Sequence, residues 1–261
     1  MNTETEQEII REDKQAAAAG PVIDIQHLKK SFGAQEILKD ISLTLGVGEN
    51  LVVMGKSGSG KSVLIKCLVG LLKPDSGNIT ILEKDVTSLQ RKELNELRQK
   101  IGFLFQSGAL YDSMTVKQNI EFPLRRIKKE LTEKQITEKV HEVLENVDLV
   151  DSLNKMPSSL SGGMRKRISL ARTIVVDPLI MLYDEPTTGL DPVTSDEISM
   201  LIMDVQKKYK TSSIIITHDI KCALHTANRM IMLRDGLVFM EGKPEEFKQS
   251  TDEYIQSFSF Q

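Results

Sequence analysis

The chain has no long hydrophobic run and no excess of basic residues, and it contains only two cysteines. No apolar stretch reaches the roughly 18–20 residues that a helix needs to span a bilayer. Lys and Arg total 34 against 37 Asp and Glu, a net charge of −3, which argues against a dedicated nucleic-acid-binding protein. Cys67 and Cys222 lie in apolar or helical stretches without metal-ligand spacing, which favours reduced, structural thiols in a cytosolic protein.

The N-terminal residues also lack a targeting pattern. Met1–Lys14 is acidic and polar, with no apolar segment after a basic one, so we do not expect a secretory signal. A hydrophobic fraction of 40% and a charged fraction of 27% are ordinary for a globular protein. The length of 261 residues allows one large domain or two small ones.

Changes in composition and hydrophobic pattern along the sequence predict the organisation of the chain. Residues 1–20 read as a disordered or loosely helical tail, 21–244 as the main domain and 245–261 as a short C-terminal segment. Strand-like runs separated by helical stretches indicate an α/β fold with a largely parallel sheet; the clearest runs are 22–25, 41–45, 51–54, 78–82, 179–183 and 213–217. The Lys- and Glu-rich stretch 91–177 has helical apolar spacing and predicts an inserted helical subdomain.

A glycine-rich turn between a strand and a helix is the most informative motif. It comprises Gly55, Lys56, Ser57, Gly58, Ser59, Gly60, Lys61 and Ser62, with Val63 following. Glycines let successive backbone N–H groups approach phosphate oxygens, and the helix N-terminus adds partial positive charge. Lys61 is placed to reach the β- and γ-phosphates and Ser62 to ligate Mg²⁺. A surface loop with a chance lysine is the alternative, but the flanking strand and helix favour a nucleoside triphosphate site.

Polar residues follow two further buried strands, where ligands of a parallel sheet gather. Asp184 follows the run 179–183 and is placed to hold Mg²⁺, while Glu185 is placed to orient and deprotonate the attacking water. His218 follows the run 213–217, where it can contact the γ-phosphate.

Two weaker signals lie within the inserted stretch and before the phosphate loop respectively. Gln106 enters a loop after a short strand-like run, and its amide oxygen can ligate Mg²⁺. Phe32 can stack on an adenine ring, although core packing is the simpler interpretation of an aromatic residue there.

A second anion site is indicated at the start of a basic amphipathic helix. Ser161 is typical of an N-cap, and Gly162 and Gly163 expose backbone donors behind it. One alternative is a capped helix without a ligand. The other is that this N-terminus meets the γ-phosphate bound by another subunit, because the phosphate loop already surrounds its own side of the nucleotide.

Taken in order, these motifs resemble those of ATP-binding-cassette (ABC) ATPases. They are similar to the Walker A loop, Q-loop, signature, Walker B with catalytic glutamate, D-loop at Gly189–Asp191 and switch histidine. The resemblance implies a P-loop NTPase core, an antiparallel β region and an inserted helical subdomain, with ATP and Mg²⁺ as cofactors. It implies catalytic roles for Lys61, Glu185 and His218, and nucleotide contacts that include Phe32, Val63 and Asp191. It also implies a head-to-tail dimer in which Ser161 serves the partner's nucleotide.

One branch of that family is especially similar. The stretches 104–111, 119–123 and 159–164, with Met164 in place of the more usual glutamine, resemble the ATPases of Mla-type lipid transporters. This resemblance implies an integral-membrane permease, an MCE-domain protein and a small regulatory subunit as partners. It also implies a peripheral position on the cytoplasmic face of the membrane, and no nucleic-acid partner.

Other functions remain open from the sequence. An ABC transporter for a polar solute such as an amino acid would carry the same ATPase motifs. A soluble ABC ATPase acting on DNA or ribosomes is disfavoured by the absence of a long heptad insertion and of a second motif set. A regulator without turnover is disfavoured by Glu185 and His218.

The stretch 107–114, after Gln106, combines small and apolar residues. We expect it to be exposed and to form part of a groove for a cytoplasmic helix of the permease. The alternative is that Leu110 and Tyr111 pack inside the subdomain.

Overall fold

The computed structural model describes residues 20–258. The predicted tail 1–20 therefore lies outside the described residues except for Gly20, as do residues 259–261. The strands are β1 Ile23–Phe32, β2 Gln35–Leu45, β3 Asn50–Met54, β4 Ser76–Ile81, β5 Lys84–Asp85, β6 Ile101–Leu104, β7 Ile180–Asp184, β8 Ser212–Ile216, β9 Arg229–Arg234 and β10 Leu237–Gly242. The helices are α1 Lys61–Leu68, α2 Arg91–Arg98, α3 Val116–Ile127, α4 Glu133–Glu145, α5 Gly162–Ile174, α6 Pro192–Tyr209, α7 Ile220–Thr226, α8 Pro244–Gln249 and α9 Glu253–Gln256.

The strands form one mixed sheet in the order β5-β4-β1-β2-β10-β9-β3-β8-β7-β6. The half from β9 to β6 is parallel, and in it β3 pairs with both β9 and β8 while β7 pairs with both β8 and β6. The other half is mainly antiparallel, with β1 between β2 and β4, and β10 joins it to β9 by pairing in parallel with β2 and antiparallel with β9. The α/β core with an antiparallel region agrees with the predicted fold class.

Both faces of the parallel strands are buried, as their continuous apolar sequences predict. Val52 and Met54 of β3 belong to one hydrophobic cluster, while Leu51 and Val53 belong to the other. The first cluster continues into α3, α4, α5 and α6. The second lies under the antiparallel strands and α1. The sheet is therefore clamped between two apolar layers, which fixes the positions of its strand ends.

The predicted helical subdomain needs a correction. The range 91–177 is mostly helical, and α3, α4 and α5 pack against one another. It also contains β6, whose four residues pair in parallel with β7 and belong to the central sheet. The sequence shows a short strand-like run before Gln106, but four residues inside a charged stretch do not show that this run joins the central sheet. The helical insertion therefore begins after Leu104.

The C-terminal segment 245–258 packs onto the domain. Phe247 and Ile255 are buried in the same cluster as the helical subdomain. The Tyr254 hydroxyl donates to the Leu233 carbonyl at 3.2 Å, at the end of β9. No helix within residues 20–258 is both long and apolar enough to cross a membrane.

Candidate nucleotide site

Three neighbouring parallel strands bring the predicted site residues together. Because β3, β8 and β7 run side by side in the same direction, the residues that follow them meet at one edge of the sheet. A cavity of about 760 Å³ opens at this edge. Its lining includes most of the predicted residues: Gly55, Lys56, Ser57, Gly58, Gly60, Lys61, Ser62, Val63, Gln106, Glu185 and His218.

The loop between β3 and α1 adopts a shape that depends on its glycines. Gly60, the residue before α1, has φ of 102°, and a Cβ atom there would lie 2.6 Å from Leu38 Cδ2. Gly55 has φ of 154°, and its Cβ atom would lie 2.6 Å from the Leu233 carbonyl oxygen. Side chains at these positions would displace the loop from the strands beneath it. The glycines therefore keep the backbone close to the sheet and its N–H groups available to an anion.

Lys61 lies at the centre of this loop. Its side chain is buried, and Nζ donates to the carbonyls of Gly55 at 2.7 Å and Lys56 at 3.2 Å. Burial lowers the pKa of Lys61, while the charges of Glu185 and Asp184 act in the opposite direction. A phosphate at the cavity would favour the charged ammonium further, because an opposite charge stabilises the ionised form.

The residues present fit a Mg²⁺ ion. Asp184 Oδ1 is buried and has no hydrogen-bond partner among the described residues, while Ser62 and Gln106 both line the cavity. Burial, and then the charge of Glu185, raises the pKa of Asp184, which a bound cation would counteract. Residues 20–258 contain no cluster of three or more His, Cys, Asp or Glu, so the ion would need phosphate and water ligands, as Mg²⁺ usually does. When bound, it would supply charge to polarise the phosphate oxygens.

Glu185 and His218 form a hydrogen-bonded pair beside the loop. His218 Nδ1 lies 2.7 Å from Glu185 Oε2, which also accepts from the Thr188 hydroxyl at 3.1 Å. Glu185 has φ of 51°, and its N–H donates to the Ile216 carbonyl of β8 at 2.8 Å. A non-glycine residue in this left-handed region is strained, so the surrounding contacts hold it there. The arrangement fixes a carboxylate next to the place where a γ-phosphate would lie.

The N-cap at the second predicted anion site is formed, but it lies apart from the cavity. Ser161 caps α5, and its hydroxyl accepts from the Met164 N–H at 3.2 Å, as predicted. Neither Ser161 nor the glycines at 162 and 163 line the cavity. Within one chain, this helix N-terminus therefore does not complete the nucleotide site.

Three predicted nucleotide contacts also lie outside the cavity lining: Phe32, Asp191 and Ser59, which is buried within the glycine loop. Phe32 is 49% exposed, so the core-packing interpretation is wrong, and Lys30 Nζ lies 5.6 Å from its ring centroid. Asp191 caps α6 by accepting from the N–H groups of Val193 and Thr194. Stacking of Phe32 on adenine and contact of Asp191 with a nucleotide remain predictions.

Two other contributions to the site were not predicted from the sequence. Ser257 and Phe258, from the C-terminal segment, line the cavity, and Lys56 Nζ lies 5.0 Å from the ring centroid of Tyr254. Lys166 of α5 is buried and donates to the backbone carbonyl of Gln106. Both are tertiary contacts between distant parts of the chain, and no local pattern of residue types predicts them.

The glycine loop, its lysine and the acidic pair after a neighbouring parallel strand define a P-loop nucleotide-binding protein. The family model described as ABC transporter matches residues 38–188. The chain is 42% identical over 239 residues, or 92% of its length, to the "Probable ribonucleotide transport ATP-binding protein mkl" of Mycobacterium tuberculosis. It is 37% identical over 243 residues, or 93% of its length, to the "Methionine import ATP-binding protein MetN" of Rhizobium johnstonii. The chain therefore belongs to the ABC transporter family.

These curated relatives are longer proteins, since the chain spans 66% of the first and 67% of the second. Solved structures share the fold. A dimeric ATP-binding cassette, MJ0796, bound to ADP and Pi superposes with a TM-score of 0.77 at 32% identity, over 85% of this chain and 98% of that one. CbiO1 from Clostridium perfringens, part of the transporter complex cbiONQ, gives a TM-score of 0.81 at 31% identity, over 87% of this chain and 90% of that one.

The Glu185→Gln variant should separate binding from hydrolysis. The change keeps the size of the side chain and removes the base, so turnover should fall by about 10²–10⁴-fold while ATP affinity is retained. Lys61→Ala should instead weaken ATP binding itself, because it removes the ammonium that contacts the phosphates. Steady-state ATPase assays and equilibrium binding of a fluorescent ATP analogue measure the two effects. Near-wild-type hydrolysis by Glu185→Gln would show that Glu185 is not the base.

Proposed function

We propose that the protein is the ATP-hydrolysing subunit of an ABC transporter and powers a separate membrane permease, most directly one for phospholipids or other lipids. The observation that carries the proposal is the convergence of Lys61, Glu185 and His218 on one cavity at the carboxyl edge of the sheet. In this proposal the subunit lies on the cytoplasmic face of the membrane, bound to its permease, and does not bind nucleic acid.

The geometry supports a hydrolytic mechanism. Lys61 and the loop N–H groups hold the β- and γ-phosphates. Glu185 accepts a proton from the water that attacks the γ-phosphate. Since Nδ1 of His218 is bonded to Glu185, Nε2 is the ring nitrogen that can contact a γ-phosphate oxygen. Water, base and phosphate are then held in line by groups whose backbones are fixed by β3, β7 and β8.

Hydrolysis requires a second copy of the chain in this proposal. The N-terminus of α5, which Ser161 caps, does not reach the cavity of its own chain. A head-to-tail dimer would place Ser161 of each copy against the γ-phosphate held by the other. The MJ0796 cassettes, at 32% identity, form dimers, which supports a second copy of the chain as the partner.

A groove beside Gln106 supports a permease as the partner. It has a volume of about 340 Å³ and is lined by Phe103, Phe105, Tyr111, Phe122 and Arg172, among others. Phe103 and Phe105 stack with ring centroids 4.1 Å apart, and Tyr111 lies 5.1 Å from Phe122. An apolar floor with a basic edge fits one face of an amphipathic helix. We assign this groove to a cytoplasmic helix of the permease.

Only part of the predicted patch 107–114 lies in this groove. Tyr111 is 45% exposed and lines the groove, whereas Leu110 is half-buried and packs against the helical subdomain. The buried Asn119 holds this loop by donating to the Tyr111 carbonyl at 3.1 Å and accepting from the Tyr111 N–H at 2.8 Å. The loop thus presents Tyr111 to a partner, while Leu110 belongs to the core.

The assignment to lipid transport rests on where the lipid-transporter-like stretches lie. Phe105 and Tyr111 of the first stretch and Phe122 and Pro123 of the second line the same groove. The residues that are similar to the Mla-type branch therefore meet at the surface that we assign to the permease. An MCE-domain protein and a small regulatory subunit complete the proposed complex.

A transporter for a polar solute is the second candidate. The similarity to proteins named for methionine import, at 37% identity, favours it. The nucleotide site has the same geometry for either substrate, because the ATPase subunit drives the permease without contacting the cargo.

Two tethered dimers of equal composition test the head-to-tail arrangement. When Ser161→Arg is on one chain and Lys61→Ala is on the other, one composite site is intact and the other has lost both halves. When both changes are on the same chain, each site has lost one half. We expect substantial ATPase activity only in the first dimer. Equal rates would contradict an arrangement in which each site uses both chains.

Tyr111→Asp tests the permease groove. A buried charge in an apolar contact is unfavourable, so this variant should no longer co-purify with the permease or support lipid transport. ATP hydrolysis by the isolated subunit should stay within about twofold, because Tyr111 is absent from the cavity lining. Val47→Asp is the matched control, since Val47 is 43% exposed and precedes β3 at the opposite edge of the sheet. Normal co-purification of the Tyr111→Asp variant with the permease would contradict the assignment of this groove to the permease.

The same purification identifies the cargo. The tagged chain is isolated from membranes of its own organism, and mass spectrometry identifies the co-purified proteins and lipids. A multi-span permease with an MCE-domain protein and bound phospholipid would support the proposed substrate. An amino-acid permease with a solute-binding protein would favour the second candidate.

A further inference from the structure

A buried lysine outside the predicted site contacts two parts of the hydrolytic machinery. Lys166 lies on α5, five residues after Ser161, and is only 6% exposed. Its Nζ donates to the Gln106 carbonyl at 2.5 Å and to the Glu185 carbonyl at 3.3 Å. The same ammonium therefore links α5, the loop that follows β6 and the residue that follows β7.

Stability alone does not require a lysine at this position. Burying an ammonium removes it from water, and an apolar side chain of similar volume is often equally stable or more stable. The hydrogen bonds of Lys166 go to main-chain carbonyls of two residues that the nucleotide site uses. A buried charge with such partners fixes their relative positions more strictly than apolar packing does.

The rest of α5 holds the same loop. The Arg172 guanidinium donates to the carbonyls of Ala109 at 2.8 Å and Gly108 at 3.3 Å. A Cβ atom on Gly108 would lie 2.6 Å from Ser169 Oγ, so the loop backbone rests directly on the helix. The loop that contains Gln106 is thus fixed by contacts with α5. Lys166 also connects the same helix to Glu185.

Glu185 needs such support because of its backbone conformation. Its φ of 51° lies in the left-handed region, and its N–H and carboxylate are held by Ile216 and His218 respectively. The carbonyl is the third group of the residue, and it accepts from the Lys166 ammonium and from the Thr188 N–H, both at 3.3 Å. Without the ammonium, only the short-range Thr188 contact restrains the peptide that follows Glu185. That peptide can then rotate toward a less strained conformation and move the carboxylate with it.

We propose that Lys166 is a positioning residue for hydrolysis, which joins the carbonyls of Gln106 and Glu185 and thereby orients the glutamate of its own subunit. This inference rests on the proposed ATP hydrolysis. In the proposed dimer, α5 would then serve two sites, with Ser161 contacting the partner's nucleotide and Lys166 supporting the glutamate of its own chain.

Lys166→Met is the first test, because methionine is unbranched and of similar length but cannot donate. We expect kcat to fall about 10- to 100-fold, the loss expected from misplacing a reacting group by about 1 Å, with unchanged affinity for a fluorescent ATP analogue. Lys134→Met, at a side chain that is 86% exposed on α4, is the matched control. A kcat for Lys166→Met within about twofold of this control would overturn the proposal.

Lys166→Gln keeps one donor on a shorter side chain and covers the case in which Lys166→Met does not fold. It should lose kcat by an intermediate factor, at unchanged Tm and unchanged affinity for the analogue. A wild-type kcat in Lys166→Gln would overturn the proposal. So would a loss of affinity and Tm in parallel with kcat, which is the signature of a merely structural residue.

Two tethered dimers of equal composition distinguish positioning from a general defect. Each carries one Lys166→Met and one Glu185→Gln, either on the same chain or on different chains. On the same chain, the remaining glutamate has its own lysine, and the rate should equal that of a dimer with Glu185→Gln alone. On different chains, the remaining glutamate lacks its lysine, and the rate should be about 10- to 100-fold lower. Equal rates would overturn the proposal.

The outcomes also separate this inference from the proposed function. Absence of ATP hydrolysis in the wild-type protein would remove the proposed function itself. Hydrolysis by the wild type with no effect of the Lys166 changes would remove only the role of Lys166. The tethered-dimer test needs activity in a dimer with one Glu185→Gln chain. If that dimer is inactive, the kcat and the ATP-analogue affinity of the Lys166→Met and Lys166→Gln homodimers decide whether Lys166 is a positioning residue.

Discussion

The parallel pairing of β3, β8 and β7 is the constraint on which the site depends. These strands are buried on both faces, so their register and direction are fixed by packing on two apolar layers. Their carboxyl ends consequently hold the glycine loop, His218 and the acidic pair at one edge of the sheet. The local strain at Glu185 is tolerated because this framework holds the residue in place.

The inserted helices connect that edge to other surfaces of the molecule. Ser161 caps the start of α5, and Lys166 and Arg172 of this helix contact the loop after β6. The helix ends beside the aromatic groove. A rigid helix that touches all three places can transmit movement among them. The nucleotide site and the proposed permease groove share the loop that contains Gln106. This layout accounts for how closing around ATP would move a membrane partner.

Much of the fold was predictable because buried strands and amphipathic helices leave strong local patterns. The runs at 179–183 and 213–217 became β7 and β8 within one residue at each end. The glycine loop was identified from its own sequence and from the strand and helix around it. By contrast, the strand-like run before Gln106 was noted but was left inside the predicted helical subdomain, whereas β6 belongs to the central sheet. Such a brief run is too short for its pattern to show which strands it pairs with.

The parts of the site that the sequence did not predict are tertiary. Lys166 was one of several basic residues on a helix, and only the fold shows that it is buried against two carbonyls. The sequence left two interpretations open for Phe32 and for Leu110, because an apolar residue next to a turn can face either way; the fold exposes Phe32 and packs Leu110. The C-terminal Ser257 reaches the cavity through the packing of α8 and α9 on the core.

The central claim is that two chains together form each nucleotide site, and sedimentation of the Glu185→Gln protein tests it most directly. Without nucleotide, the protein should sediment as a monomer of 29.3 kDa. With Mg²⁺ and ATP it should sediment as a dimer, and adding Ser161→Arg should return it to a monomer although ATP still binds. A Glu185→Gln protein that binds ATP at saturation and stays monomeric would contradict the account.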